Sequence, residues 1–123
     1  KLFLLAIALL MPILAQDSAV LNGNDPVLLA TQNQEKIGSP KFAVKRGNFT
    51  YQFVDAKIKA EFAKNPAKYE IQMGGACARM GANSGSMGNP SRYSVYGKKI
   101  YIFGSDDCQE IFMKDPKSFI DKK

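Results

Sequence analysis

The chain of 123 residues contains no histidine and no tryptophan, and it has only two cysteines, Cys77 and Cys108. Histidine is the commonest general base and the commonest metal ligand in proteins. Its absence excludes Ser-His-Asp and Cys-His mechanisms, and the sequence shows no other pair of nucleophile and base. We therefore expect no enzymatic activity, and the two thiols and the methionines of the second half remain as soft ligands.

Long apolar runs are absent except at the N-terminus. Residues 2–11 form an apolar run behind Lys1, and Ala15 is a small residue at which a signal peptidase would cut. The run is shorter than the ~20 apolar residues that a spanning helix needs. We therefore predict a signal peptide over residues 1–15, a mature domain over residues 16–123 without a transmembrane segment, and a secreted or periplasmic location.

Concentrated charge of one sign is also absent from the mature chain. The formal net charge is +6, and it becomes +5 when Lys1 leaves with the signal peptide. The remaining lysines are scattered and interleave with acidic residues. A nucleic-acid binder usually concentrates its positive charge on one face or in one run, so we predict that nucleic acid is not a partner.

The mature chain consists of two similar halves, at about residues 22–71 and 72–121. The pairs that repeat at an offset of fifty are Gly47 and Gly97, Tyr51 and Tyr101, Phe53 and Phe103, Phe62 and Phe112, Lys64 and Lys114, and Pro66 and Pro116. Each half combines an alternating hairpin around a glycine turn with a helix behind an N-cap residue, Asp55 or Ser105. An internal repeat decides the architecture of a chain. This one predicts an α+β fold, a small single domain of two pseudo-repeated β-hairpin–helix units.

Proline and glycine mark the ends of these elements. Pro66 and Pro116 are expected to end the two helices, because proline removes a helical hydrogen bond. The stretches upstream of the hairpins, residues 22–28 and 74–90, are rich in turn-forming residues, so we expect both to be loops. Loops carry function more often than the elements they connect, which makes Cys77 in the second loop a candidate site residue.

Five short segments carry a family resemblance that covers nearly the whole mature chain. They are Asp25-Pro26-Val27, Gly38-Ser39-Pro40-Lys41-Phe42-Ala43-Val44, Tyr51-Gln52-Phe53, Asn65-Pro66-Ala67-Lys68-Tyr69 and Gly74-Gly75-Ala76-Cys77-Ala78. This combination resembles the YHS-domain family, which is related to the TRASH group of metal-binding domains, in a secreted bacterial form. The resemblance implies a small α+β unit with a knuckle, a hairpin and a helix. It also implies metal handling, often beside copper transport or heavy-metal resistance.

The resemblance further implies where metal-binding thiols would lie: in the knuckle, at the end of the return strand and in the first helical turn. In the first half these positions hold only apolar side chains, namely Leu28, Val54 and Ile58. In the second half they hold Cys77, Gly104 and Cys108. The second half therefore keeps two of the three thiols.

Two functions remain open for Cys77 and Cys108. One is an exported binding module for copper or another soft metal ion, because thiolates and thioethers suit Cu(I), and Met80 is then a third candidate ligand. The other is a non-enzymatic structural or interaction domain without a metal, in which the two cysteines form a disulfide. An oxidising compartment outside the cytoplasm would favour that bond. The expected partner is accordingly a metal ion or another protein of the cell envelope.

Both functions require the two cysteines to be neighbours in space. Cys108 matches Ile58 at the offset of fifty, and Cys77 matches Leu28 within one residue. Since both matched positions of the first half are apolar, the knuckle and the helix are expected to meet in a core. We therefore predict that the two sulfurs lie close together.

Overall fold

The computed structural model describes residues 18–121. The predicted signal peptide and its cleavage site lie outside the described residues. The described part of the chain has the predicted α+β architecture, with two separate two-stranded antiparallel sheets. Within that part, no helix is long and apolar enough to cross a membrane.

The first half contains a 3₁₀ turn, three helices and one hairpin. The turn spans Leu21–Gly23, followed by α1 (Pro26–Gln32), β1 (Ser39–Arg46), β2 (Phe49–Phe53), α2 (Ala56–Lys64) and α3 (Pro66–Tyr69). The second half repeats this order without a counterpart of α1. Its elements are a 3₁₀ turn at Met73–Gly75, β3 (Asn89–Tyr96), β4 (Lys99–Phe103), α4 (Asp106–Lys114) and α5 (Pro116–Ile120).

The two hairpins share one register, which confirms the repeat. Ser39 lies opposite Phe53 in the first hairpin, and Asn89 lies opposite Phe103 in the second. A bulge follows in both hairpins, after which every pair of the first recurs fifty residues later in the second. An insertion of a single residue would have moved the buried side chains of a strand to its solvent face. Because the repeat has no gap, the same side chains are buried in both hairpins.

The long helices begin at the predicted N-caps. The Asp55 carboxylate accepts a hydrogen bond from the Ile58 backbone N–H at 2.9 Å, and the Ser105 hydroxyl accepts one from the Cys108 N–H at 3.1 Å. Such caps satisfy donors that the first helical turn leaves unpaired. The cap of α4 thereby fixes the backbone of Cys108.

The prolines have a second role that the sequence analysis missed. Helices α2 and α4 do end before Pro66 and Pro116, at Lys64 and Lys114. Each proline then becomes the first residue of a further short helix, α3 or α5. Proline is tolerated at that position, because the first helical N–H has no partner within the helix.

Helix α1 corrects the expectation that residues 22–28 are a loop. Asp25 caps this helix, and Pro26 is its first residue. An Asp-Pro pair is a signal for a helix start. Here its neighbours Asn22, Gly23 and Asn24 are turn-forming residues, so the segment resembles a loop. The second loop is confirmed over residues 76–88, which form turns and isolated bridges but neither a helix nor a strand.

Each half buries an aromatic cluster in which one helical ring packs on two strand rings. The clusters are Tyr51, Phe53 and Phe62 in the first half, and Tyr101, Phe103 and Phe112 in the second. The helical ring lies 5.4 and 5.0 Å from the strand rings in the first half and 5.3 and 5.1 Å in the second. The matched aromatics of the two halves are therefore buried alike, in keeping with the predicted repeat. The second cluster also contains Cys77, with Cys108 packed against it.

Candidate functional site

Cys77 lies in the second knuckle, as we call residues 73–77, and its side chain is 1 % exposed. Its backbone N–H donates to the Ser86 carbonyl at 2.7 Å, and it forms an isolated parallel bridge with Ile102 of β4. The loop on one side and the return strand on the other therefore fix the position of the sulfur.

The Cys77 sulfur sits among hydrogen-bond donors. The Met80 N–H donates to the backbone carbonyl of Cys77 at 3.0 Å. Burial raises the pKa of the Cys77 thiol, but the neighbouring backbone N–H groups of Gly104, Met80 and Arg79 and the thiol of Cys108 lower it, and together they bring the pKa below the ordinary value. The site therefore favours the thiolate, which is the form that binds metals and reacts.

Cys108 lies in the first turn of α4 and provides the second thiol. Its side chain packs against the apolar cluster that contains Cys77, and its thiol contributes to lowering the pKa of Cys77. The two cysteines therefore share one cluster, but they are not at disulfide distance. Both are free thiols in this structure, which contains no disulfide within the described residues.

Met80 does not join the two thiols. Its side chain is 49 % exposed, and its sulfur accepts a hydrogen bond from Arg79 Nη1 at 3.5 Å. The backbone N–H of Met80 donates to the Cys77 carbonyl at 3.0 Å. Met73, which lies in the second knuckle, packs against the cluster that contains Cys77.

The first knuckle comprises residues 21–25, so the two knuckles repeat at an offset of 52, whereas the hairpins repeat at an offset of fifty. The turn at residues 21–23 matches the turn at residues 73–75, and the N–H groups of Asp25 and Cys77 each donate across their loops, at 2.8 and 2.7 Å. Asp25 therefore occupies in the first half the place that Cys77 occupies in the second. The match of Cys77 with Leu28 was wrong, because the two upstream loops differ in length by two residues.

The Asp25 carboxylate is held in the same way as the Cys77 sulfur. Oδ1 accepts hydrogen bonds from the N–H groups of Val27 at 2.9 Å and Leu28 at 3.2 Å. Oδ2 accepts one from the Val54 N–H at 2.8 Å. These three donors correspond in the repeat to the three backbone donors of Cys77. Both halves thus contain a pocket of backbone N–H groups for a negatively charged atom.

The two pockets differ in what fills them. Burial raises the pKa of Asp25 against the opposing effect of its three backbone hydrogen bonds. Its two oxygens accept hydrogen bonds from all three donors. The helical position that matches Cys108 is the apolar Ile58. In the second half a single sulfur faces the same donors, with the thiol of Cys108 beside it. Only the second pocket therefore places two soft atoms together.

The chemistry available at this site is that of a thiol pair. Among residues 18–121, no group of three or more cysteine, aspartate, glutamate or histidine side chains is arranged to hold a metal ion. No protein-family model, curated protein or solved structure matches the chain. The geometry of Cys77 and Cys108 is therefore the feature of the chain that points to a function.

We expect wild-type protein to gain stability over the Cys77→Ser variant as the pH rises. The pKa of Cys77 is lower in the folded than in the unfolded chain, so between the two values the unfolded chain binds more protons. This contribution is complete above the unfolded pKa and is lost as the pH falls through the folded pKa. Urea unfolding of both proteins between about pH 6 and pH 10 measures it, since free thiols titrate in this range. A stability difference that stays constant with pH would contradict the thiolate assignment.

Proposed function

We propose that this protein is a binding module for a soft metal ion, Cu(I) above all, held between Cys77 and Cys108. The observation that supports the proposal is that two free thiols pack at one apolar cluster, where neighbouring backbone N–H groups and the Cys108 thiol lower the pKa of Cys77. These donors stabilise the thiolate before a metal arrives. Thiolates are soft ligands that suit Cu(I).

The number of thiols favours Cu(I) over zinc. Structural zinc sites use about four nitrogen or sulfur ligands, whereas Cu(I) also forms linear complexes with a pair of thiolates. Gly104 stands where the family resemblance would place a third thiol, and the Met80 thioether points elsewhere. The pair is therefore suited to a metal that accepts few ligands.

We further propose that the chain acts outside the cytoplasm and is related to the YHS-domain family. The apolar run at residues 2–11 supports export, and the order of knuckle, hairpin and helix is the one that the resemblance implies. In this role the protein binds the ion without transforming it. Its partner is either the metal ion alone or an envelope protein that exchanges the ion with it.

Competition titration of reduced protein with Cu(I) and a chromophoric Cu(I) chelator tests this proposal. Wild-type protein is expected to take up one equivalent. Cys77→Ser and Cys108→Ser should each weaken binding at least about tenfold, because each removes one of the two soft ligands. Met80→Leu is the matched control and should bind as the wild type does, because its side chain lies outside the thiol pair. Equal binding by the wild type and a double serine variant would end the metal proposal.

The disulfide domain is the second candidate, because both thiols pack at one cluster. They are free and not at disulfide distance in this structure, so forming the bond would require the two sulfurs to move together. A count of free thiols before and after air oxidation of the metal-free protein separates the two functions. A bond that forms at once and resists mild reductants, together with no Cu(I) uptake by the reduced protein, would assign a structural role. Reduced thiols that take up Cu(I) and are then protected from oxidation would assign metal binding.

A further inference from the structure

The three arginines of the chain differ in how they are paired. Arg46 donates to both carboxylate oxygens of Glu70, at 2.6 and 3.3 Å. Arg92 donates to Asp106 at 2.8 Å. Within the described residues, Arg79 has no such carboxylate partner. Its positive charge is therefore the one arginine charge in the fold that residues 18–121 leave without a counter-ion.

The Arg79 guanidinium is also short of hydrogen-bond acceptors. Its Nη1 donates only to the Met80 thioether at 3.5 Å, and a thioether sulfur is a weak acceptor. Its Nε is buried and has no hydrogen-bond partner within the described residues. A buried donor without an acceptor costs free energy, and more so on a charged group. The residue as a whole is half-buried and lines a groove, so an acceptor from outside the chain would meet the terminal Nη groups of the guanidinium and not Nε.

Arg79 lines a groove that could supply such an acceptor. The groove has a volume of about 440 Å³, which lies within the range typical of small-molecule sites. Its apolar wall comes from Met73, Met80, Phe119 and Ile120, and among residues 18–121 Arg79 is the one charged residue that lines it. Three of these wall residues, Met73, Phe119 and Ile120, also pack on the core that contains Cys77.

We propose that this groove binds a small organic anion, with a carboxylate on the Arg79 guanidinium and an apolar body against Met73, Met80 and Phe119. The planar guanidinium matches a carboxylate through two parallel hydrogen bonds. No acidic residue in the described part of the chain lines the groove, so none of these residues opposes the positive charge there. A free organic acid and the carboxyl end of a peptide with an apolar last residue both present this chemistry. The groove adjoins the thiol pair through Arg79, Met80 and the Cys77 cluster, but the carboxylate would bind the Arg79 side chain and needs no metal.

Nuclear magnetic resonance of the metal-free protein tests the site, because the Nε–Hε resonance reports binding elsewhere on the same guanidinium. Phenylacetate is expected to shift the Arg79 Nε–Hε resonance saturably, and the neutral phenylacetamide should bind at least about tenfold more weakly, because charge-assisted hydrogen bonds are markedly stronger than neutral ones. Arg79→Gln should abolish binding, and Arg79→Lys, which keeps the charge but loses the planar pair of donors, should bind more weakly than the wild type. Arg46→Gln is the matched control and should bind normally, since Arg46 lies outside the groove.

A second titration identifies the source of the anion. If N-acetyl-alanyl-phenylalanine binds more tightly than phenylacetate, the groove recognises a peptide terminus; if it binds equally or more weakly, the groove recognises a free acid. No saturable shift with either probe would overturn the proposal. Equal affinity for the acid and its amide, or unchanged binding by both Arg79 variants with wild-type backbone spectra, would also overturn it.

Discussion

Replacing Asp25 with alanine is expected to lower the free energy of unfolding by about 3 kcal/mol or more, since each donor left without a partner in a buried site costs about 1–3 kcal/mol. The carboxylate is fully buried and accepts the N–H groups of Val27, Leu28 and Val54. These donors belong to the first turn of α1 and to the residue after β2. The substitution therefore uncouples the first knuckle from its hairpin as well as removing the cap of α1.

Two further variants separate this effect from ordinary capping. Asp25→Asn preserves the shape but offers a single acceptor oxygen, so one N–H would face the amide NH₂ group and the variant should lose part of the same stability. Asp55→Ala removes the exposed cap of α2 and should cost about 1 kcal/mol, which is typical of an N-cap. Urea denaturation of the three variants measures the differences. Equal losses for Asp25→Ala and Asp55→Ala would contradict the role assigned to Asp25.

Replacing Gly104 with cysteine is expected to raise the affinity for Zn²⁺ about a hundredfold or more, because three thiolates and a water complete the tetrahedral shell that zinc prefers. A Cβ atom at this position would lie 4.0 Å from Cys77 Sγ and 3.6 Å from the Met87 carbonyl oxygen, which are ordinary contacts. The φ angle of Gly104 also lies outside the left-handed region, so the side chain adds no backbone strain. The substitution supplies the thiol that the strand end lacks.

Val54→Cys is the matched control for this gain. Val54 follows β2 as Gly104 follows β4, but its neighbours in the repeat are Asp25 and Ile58 instead of two thiols. A lone cysteine there should leave the zinc affinity unchanged. Competition with a chromophoric zinc chelator, under reducing conditions, measures both variants. A gain of similar size in both would mean that the position beside Cys77 is not what creates the zinc site.

The repeated units were predictable because their patterns are periodic and ungapped. Tyr51 and Phe53 alternate along a strand, Phe62 follows on a helix, and the same spacing recurs fifty residues later. A period of two or 3.6 residues identifies the buried face without any knowledge of contacts. The burial of the matched aromatics followed directly from this pattern.

The knuckles were not predictable to the same accuracy. Turn-rich loops have no period, so nothing in the sequence fixes the two-residue difference that pairs Cys77 with Asp25. The donors that hold both side chains are backbone N–H groups, which every residue except proline possesses, and their convergence on one atom is a property of the folded chain. The exposed position of Met80 could not be read from its residue type either, since methionine occurs both as a core gap filler and on binding surfaces.

The most direct test of the central claim is copper K-edge X-ray absorption of the reduced protein loaded with one equivalent of Cu(I). We predict a copper ion with a pair of sulfur neighbours and no nitrogen or oxygen ligand, and the same spectrum for Met80→Leu. The spectrum should be lost in Cys77→Ser, which removes the thiolate held by Gly104, Met80 and Arg79. Copper bound through oxygen or nitrogen, or an unchanged spectrum in Cys77→Ser, would contradict the assignment of this thiol pair as the metal site.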